Sequence, residues 1–364
     1  MLSKSFIAAA LALAVSAQTS TDCNCPADAA VGKKGINCDF TKGACDAFDH
    51  ITGKAVTYGP RGAVSAVDGS FQAPTLVSKA ALFFGRVDVE MQAAPGRGIV
   101  TSLVLLSDDL DEIDLEALGF DNANIQSNTF SRGDKDKHDL LGLLPVADLT
   151  GASHRYTVDW TTERIEFYVD GALKRTLKRA DIPDRYPESP MRVRFGAWVA
   201  GGDGNQPGTV DWAGGRPDFS KGPAASYFKS VTVVDYAGGS SATDKDVKEY
   251  SYGDRTGSSK SIRVHLADGS TPSGDSPSAT TKSSSSESSV TGTTSAKKAA
   301  STTESTTTTS EHASNSTITT KTATSSTAKH SATGSSPATT PSLGAAVGLS
   351  IGAGVAAVAA FLAL

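Results

Sequence analysis

Apolar and polar residues alternate with a period of two in several short stretches of this chain: residues 83–91, 99–106, 154–160, 165–169, 191–199 and 227–234. Such alternation is typical of half-buried β-strands. Asp170-Gly171, directly after the run at residues 165–169, predicts a tight hairpin turn. Because long helical periodicity is absent, the sequence predicts an all-β fold, an antiparallel sandwich or jelly roll. One face of such a sheet can be concave and hold a linear polymer.

Both ends of the chain resemble targeting signals. Lys4, a short apolar run and the small residues 15–17 predict a secretory signal peptide over residues 1–17. Residues 343–364 are apolar to the last position and follow a run of small residues, which is the pattern of a GPI signal. We place the ω site within residues 331–336, near Gly334 or Ser335. A plain transmembrane helix is the alternative.

Composition divides the remaining chain into two parts. Residues 18–238 have globular composition, whereas residues 239–342 are dominated by Ser and Thr. Such a segment buries too little apolar surface to fold, so we expect a disordered, O-glycosylated stalk. It contains a single N-glycosylation sequon at Asn315. The net charge of −5 provides no basic patch and argues against nucleic acid as a partner.

All four cysteines lie in a short N-terminal stretch: Cys23, Cys25, Cys38 and Cys45. In a secreted chain they should form disulfides, and four cysteines allow three connectivities. A zinc site is the weaker alternative, because no histidine lies between the first and the last of them. We expect no metal and no cofactor, since no histidine motif has metal spacing and no Gly-rich phosphate loop opens a helix.

The acidic segment at residues 111–116 (DEIDLE) carries the functional prediction. In a strand, Ile113 and Leu115 point to the core, and Glu112, Asp114 and Glu116 point to the opposite face. Three carboxylates on one face repel each other, and an ordinary strand has no reason to hold them together. The alternative interpretation is a solvated acidic edge strand.

Paired carboxylates suit glycosidic bond cleavage. A retaining glycosidase uses one ionised carboxylate as nucleophile and one protonated carboxyl as acid, about 5–5.5 Å apart. The Cα atoms of Glu112 and Glu116 lie about 13 Å apart on an ideal strand, so their side chains must lean towards each other. Asp114 lies between them and can hydrogen-bond the nucleophile.

The motif E-I-D-x-E resembles glycoside hydrolase family 16, and residues 107–133 are similar to its fungal Crh family of cell-wall chitin–glucan transglycosylases. Further motifs occur in the family's order at residues 84–87, 94–96, 156–160, 195–198 and 208–215. The resemblance implies a β-jelly-roll with a concave substrate cleft. It also implies Glu112 as nucleophile, Asp114 as assisting carboxylate and Glu116 as acid/base. The family's sugar-binding positions fall on Glu116, Arg194, Trp198 and Thr209.

Alternation adds two observations about the predicted cleft. Arg194, Gly196 and Trp198 share one face, where a Trp beside a Gly would make a stacking platform for a sugar ring; a buried core Trp is the alternative. Gln126 and Asn128 also share a face and are substrate-binding candidates, with a polar solvent face as the alternative. We assign Trp160 to the core.

These features together predict a secreted, GPI-anchored enzyme of the cell wall and outer plasma membrane. By resemblance it cleaves a chitin-like donor and transfers it to chitin or β-glucan acceptors, and we expect a monomer. Two alternatives remain, a β-glucan hydrolase on the same fold and a non-catalytic wall-binding or adhesion protein.

Overall fold

The computed structural model of the protein describes residues 25–134 and 138–271. Several predictions concern positions outside these residues: the signal peptide, Cys23, Asn315, Gly334, Ser335 and the apolar tail. Within the described residues, no helix has the length and apolar character needed to cross a membrane.

The first half of the described chain consists mainly of strands. Their bounds are β1 Asp28–Ala29, β2 Ile36–Asp39, β3 Phe48–Thr52, β4 Thr57–Gly59, β5 Gly62–Val67, β6 Thr75–Leu82, β7 Gly85–Gln92, β8 Ile99–Ser107 and β9 Glu112–Leu118. Two 3₁₀ turns, Gly32–Lys34 and Phe40–Lys42, lie between the early strands.

The second half continues the same pattern and adds one short helix, α1. The strands are β10 Asn124–Phe130, β11 Gly142–Pro145, β12 His154–Trp160, β13 Arg164–Val169, β14 Ala172–Lys178, β15 Met191–Val199, β16 Ala224–Asp235, β17 Val247–Tyr252 and β18 Ile262–Leu266. Helix α1 spans Pro207–Trp212, and two further 3₁₀ turns span Arg179–Asp181 and Pro183–Arg185.

Two large antiparallel sheets form a sandwich, as the alternation predicts. The seven-stranded sheet has the order β11-β10-β9-β8-β15-β6-β3, and the other sheet has the order β14-β13-β12-β7-β16-β5-β4 with β2 paired to β16. A small third sheet joins β1, β17 and β18. Between β13 and β14, Asp170 and Gly171 have φ angles of 51° and 79°, the left-handed pair that a tight two-residue hairpin requires.

The main hydrophobic core lies between the two large sheets. From the seven-stranded sheet it receives Leu103, Leu105, Ile113, Leu115 and Phe195, and from the other sheet Val87, Val89, Tyr156, Trp160 and Phe167. Trp160 is fully buried and its indole nitrogen donates to the carbonyl of Pro187 at 3.1 Å, which confirms its assignment to the core.

A disulfide joins Cys38 and Cys45, whose Cα atoms lie 5.9 Å apart. The bond links β2 to the segment that leads into β3, beside the aromatic cluster formed by Phe40, Phe48 and Phe195. Cys25 is also disulfide-bonded. The expectation that these cysteines form disulfides is therefore met at the three positions that the structure describes.

The folded domain continues beyond residue 238, where the sequence predicted its end. Strands β17 and β18 form a hairpin that pairs with β1. Val247, Tyr250 and Ile262 are buried and belong to the main core. The stalk prediction for residues 239–266 is corrected accordingly, because Val247–Tyr252 and Ile262–Leu266 form strands that pack against the main core.

A buried carboxylate fastens this hairpin to the sandwich. Asp235, at the end of β16, accepts hydrogen bonds from the backbone N–H groups of Gly32 at 2.8 Å, Phe83 at 3.0 Å and Ala237 at 2.9 Å. The phenol of Tyr250 donates a fourth hydrogen bond at 2.6 Å. A single side chain thus links β16, β17 and the segments before β2 and β7.

We expect Tyr250→Phe to lower the free energy of unfolding by about 1–3 kcal/mol, because a buried carboxyl group loses one of its donors. Tyr58→Phe, at a phenol with 36% exposure, is the matched control and should change stability by less than about 0.5 kcal/mol. Urea unfolding measures both. Equal stability of the two variants would show that the hairpin is not anchored through Asp235.

Candidate active site

The acidic strand β9 lies inside the seven-stranded sheet, between β8 and β10. Ile113 and Leu115 pack into the main core, so Glu112, Asp114 and Glu116 point to the opposite face. The exposed fractions of the three carboxylate residues are 0%, 2% and 9%, in that order. The alternative interpretation of a solvated edge strand is therefore wrong.

Strand register assigns each carboxylate a neighbour on both sides. On β10, Phe130, Asn128 and Gln126 lie opposite Glu112, Asp114 and Glu116. On β8 the corresponding neighbours are Leu106, Val104 and Ser102. We call this surface, formed by the outward-facing residues of β10, β9, β8 and β15, the cleft face. The two amide residues predicted from alternation thus lie directly beside the acidic row.

Asp111, the residue before Glu112, holds the turn that leads into β9. Asp111 is fully buried, and its Oδ1 accepts from the Ser131 hydroxyl at 2.9 Å and the Arg132 N–H at 3.0 Å. Its Oδ2 accepts from the Glu188 N–H at 2.8 Å and from the Ser189 N–H and hydroxyl at 3.0 and 2.8 Å. Five donors from two other segments therefore hold the start of β9. The sequence offered no signal for this role, because turn aspartates are common.

Glu116 lies in a polar network with two tryptophans. Ser102 donates to Glu116 Oε1 at 3.3 Å, and the indole nitrogen of Trp198 donates to the Ser102 hydroxyl at 3.1 Å. On the other side, the indole nitrogen of Trp212 donates to Gln126 Oε1 at 2.9 Å. Both cross-strand neighbours of Glu116 are thus held by an indole N–H. Ser102 was not predicted from the sequence, because β8 also contains Thr101 and Ser107 and a polar residue in this strand is not a specific signal.

Trp198 lies on the cleft face, as alternation predicts, but it is 2% exposed. Its ring lies 6.1 Å from that of Trp212. The expected open surface beside Gly196 is also filled, because a Cβ there would lie 2.3 Å from the carbonyl oxygen of Pro74. The structure therefore has a packed Trp198 instead of an open platform, and its stacking on a sugar stays a prediction.

The remaining candidates lie on three different elements. Arg194 follows Arg192 on the cleft face of β15, and burial lowers the pKa of its guanidinium, with Arg192 acting in the same direction. Asn128 accepts from the Thr129 N–H at 2.9 Å through its side-chain oxygen. Thr209 is buried in the first turn of α1, the helix that ends at Trp212. In the described residues, no group of three or more His, Cys, Asp or Glu side chains could hold a metal ion.

Comparison with known proteins assigns this arrangement to a family. The family model for glycosyl hydrolases family 16 matches residues 41–214. The chain is 44% identical over 265 residues to a Crh-like protein of Arthroderma benhamiae, covering 71% of this chain and 55% of that protein. It is 40% identical to Crh-like protein 4 of Botryotinia fuckeliana, covering 72% of this chain and 70% of that one.

Solved structures agree with this assignment. An apo Crh5 transglycosylase has 38% identity and a TM-score of 0.62, covering 67% of this chain and 98% of that one. A Crh5 transglycosylase in complex with NAG has 40% identity and a TM-score of 0.61, covering 66% and 96%. The chain spans 55–56% of the length of two of the curated relatives it matches. It belongs to glycosyl hydrolase family 16 and, within it, to the Crh-like proteins, and its fold is the predicted β-jelly-roll.

The turn between β8 and β9 contains a second buried carboxyl group, Asp109. It is 3% exposed, and neither of its oxygens has a hydrogen-bond partner among the described residues. Gly257, in the turn between β17 and β18, packs so closely that a Cβ there would collide with Asp109 Oδ2. Burial raises the pKa of Asp109 to about 6, with Asp111 acting in the same direction and Arg132 against it.

This raised pKa predicts a pH-dependent stability. Asp109 has a pKa of about 3.9 in the unfolded chain. The stability that the folded protein has with Asp109 protonated is therefore fully present below about pH 4 and is lost as pH rises through about 6. We expect Asp109→Asn to be more stable than wild type by about 1–2 kcal/mol at pH 7.5, with no difference at pH 4.

Thermal unfolding between pH 4 and 8 measures this difference, with the exposed Asp184→Asn as control. A stability difference between wild type and Asp109→Asn that is the same at every pH would contradict the assignment of a raised pKa to Asp109.

Proposed function

We propose that this protein is a retaining glycosidase and transglycosylase of the fungal cell wall, which cleaves a chitin-like donor and transfers it to chitin or β-glucan. The observation that carries the proposal is the row of Glu112, Asp114 and Glu116 on the cleft face of an inner strand. A binding protein would have no need of three carboxylates in one row, since their repulsion opposes folding.

In the first step, the Glu112 carboxylate attacks the anomeric carbon of the donor, and Glu116 gives its proton to the oxygen that leaves. The glycosidic C–O bond breaks and an ester bond to Glu112 forms. Asp114, between the two on the same face, orients the nucleophile. Asp111 supports this geometry because its five hydrogen bonds hold the turn from which Glu112 emerges.

In the second step, Glu116 is ionised and takes the proton of an incoming hydroxyl group, whose oxygen bonds to the anomeric carbon. The ester to Glu112 breaks, and both carboxyl groups return to their starting states. Water as the incoming group gives hydrolysis, and a sugar hydroxyl gives a new crosslink. The similar Crh5 structures, one of them in complex with NAG, support transfer and an N-acetylglucosamine-containing substrate.

The test incubates the domain, residues 18–271, with a chitin oligosaccharide donor and a labelled chitin or β-glucan acceptor. We expect Glu112→Gln to lose at least about a thousandfold in rate, because the nucleophile is removed. Glu116→Gln should lose about 10²–10⁴-fold. Label that enters longer products establishes transfer.

Glu90→Gln is the matched control, since Glu90 lies on β7 of the opposite sheet and pairs with Lys229. Its activity should equal that of wild type. Shortened products without labelled longer ones would make the protein a hydrolase, and a fully active Glu112→Gln protein would disprove the mechanism.

A location for the protein is part of the same proposal, and two stretches of the sequence support it. The signal-like residues 1–17 and the apolar residues 343–364 support secretion and a GPI anchor near Gly334 or Ser335. A GPI anchor with a Ser/Thr-rich stalk would hold the enzyme at the outer face of the plasma membrane and in the cell wall.

Expression in a fungal cell tests this location. We expect the full chain to fractionate with membranes and to be released by a phospholipase specific for phosphatidylinositol. A chain that ends at residue 342 should instead enter the medium, because the signal for anchor attachment has been removed. Membrane retention that resists the phospholipase would favour a transmembrane helix.

A further inference from the structure

Ser102 is a buried polar side chain on the cleft face of β8, next to Thr101 in the chain. The strand reads IVTSLVLLS and is buried along its whole length, and Ser102 itself has no exposed surface. Strand register places it opposite Glu116 on β9 and opposite Gly196 on β15. A hydroxyl buried at this point needs hydrogen-bond partners, and it has one on each side.

The donors and acceptors in this pair of hydrogen bonds have a fixed order. An indole N–H can only donate, so the Ser102 oxygen must accept from Trp198 at 3.1 Å. The single hydroxyl proton of Ser102 is then directed to Glu116 Oε1 at 3.3 Å. Trp198 therefore determines which way the serine hydroxyl points, and Ser102 in turn selects one oxygen of Glu116.

We propose that Ser102 is a positioning residue for the acid/base function of Glu116, and that Trp198 fixes the direction in which the Ser102 hydroxyl donates. This proposal rests on the function proposed above. In the neutral acid, a hydroxyl that donates to Oε1 makes Oε1 the carbonyl oxygen and places the proton on Oε2. In the ionised base, the same hydrogen bond stabilises the negative charge. One contact thus serves both steps of the reaction.

The proposal predicts a change in pH dependence. Loss of the Ser102 hydrogen bond removes a contact that favours the ionised carboxylate, so Glu116 in Ser102→Ala should keep its proton to higher pH. We expect the alkaline limb of the kcat/KM profile to move up by about half to one pH unit. Ser102→Thr keeps the hydroxyl on a β-branched residue suited to a strand and should keep the wild-type limb.

Trp198→Phe tests the second contact. It removes the indole N–H and keeps an aromatic ring, so the Ser102 hydroxyl can point in more than one direction. We expect the alkaline limb to move in the same direction as in Ser102→Ala but by a smaller amount. In the double variant Ser102→Ala/Trp198→Phe the limb should move no further than in Ser102→Ala, because the indole acts through the serine.

A measurement that does not depend on activity separates this proposal from the proposed function. Titration of ¹³C-carboxyl-labelled glutamate by NMR, with Glu116→Gln to assign the signal, reports the protonation of Glu116 directly. A signal that moves to higher pH in Ser102→Ala supports the proposal, even if the protein neither hydrolyses nor transfers sugars and the proposed function fails.

A Ser102→Ala protein with a lower melting temperature but an unchanged Glu116 titration and an unchanged alkaline limb would mean that Ser102 serves packing alone. A Ser102→Thr protein that shifts as much as Ser102→Ala would also overturn the proposal, because the hydroxyl would then not be the cause.

Discussion

Side chains of β9 alternate between the hydrophobic core and the cleft face, and the strand cannot slip by one residue without reversing both. A slip would move Ile113 and Leu115 out of the core and bring carboxyl groups into it. Each buried leucine or isoleucine contributes about 1.5–3 kcal/mol, and a carboxyl group in the core without partners would cost more. The packing of the sandwich therefore fixes the position of the acidic row.

The acidic row opposes the stability of the fold that holds it. Like charges on one strand face repel, and Asp109 adds a buried carboxyl group in the turn just before β9. The structure offsets this by enclosing β9 between two hydrogen-bonded strands and by anchoring Asp111 with five donors. Such local conflicts are expected where function and stability compete.

Sequence reasoning succeeded where one signal was strong over a whole element. The predicted bounds of β12 and β15, and the turn at Asp170-Gly171, agree with the structure because alternation and turn chemistry are local properties. The strands β17 and β18 were missed, although Val247, Tyr250 and Ile262 are buried in the core and Tyr252, Val264 and Leu266 pack against it. β18 alternates over only five residues, and in β17 a register shift between Val247 and Glu249 interrupts the alternation, so the Ser- and Gly-rich composition around them dominated the prediction.

In the candidate site, the sequence predicted which side chains share a face but not which side chains contact each other. Alternation placed the three carboxylates on one face of β9 and the two amides on one face of β10, because facing within a strand depends only on its period. The pairing of β9 with β10 is what joins the two sets on one surface. Alternation did not reveal the packing of Trp198 or the contact between Ser102 and Glu116. Those contacts join residues that are 96 and 14 positions apart in the chain, so they depend on the order of strands in the sheet.

The indole N–H groups of Trp198 and Trp212 orient the two polar side chains that lie beside Glu116 on the neighbouring strands. Trp198 fixes Ser102 on one side, and Trp212 fixes Gln126 on the other by donating to its Oε1. Gln126 then presents its amide N–H groups, which can only donate, towards its remaining neighbours. In the proposed reaction, a sugar hydroxyl that arrives at Glu116 would meet the amide group of Gln126 on the neighbouring strand already oriented, and such pre-orientation favours transfer over hydrolysis.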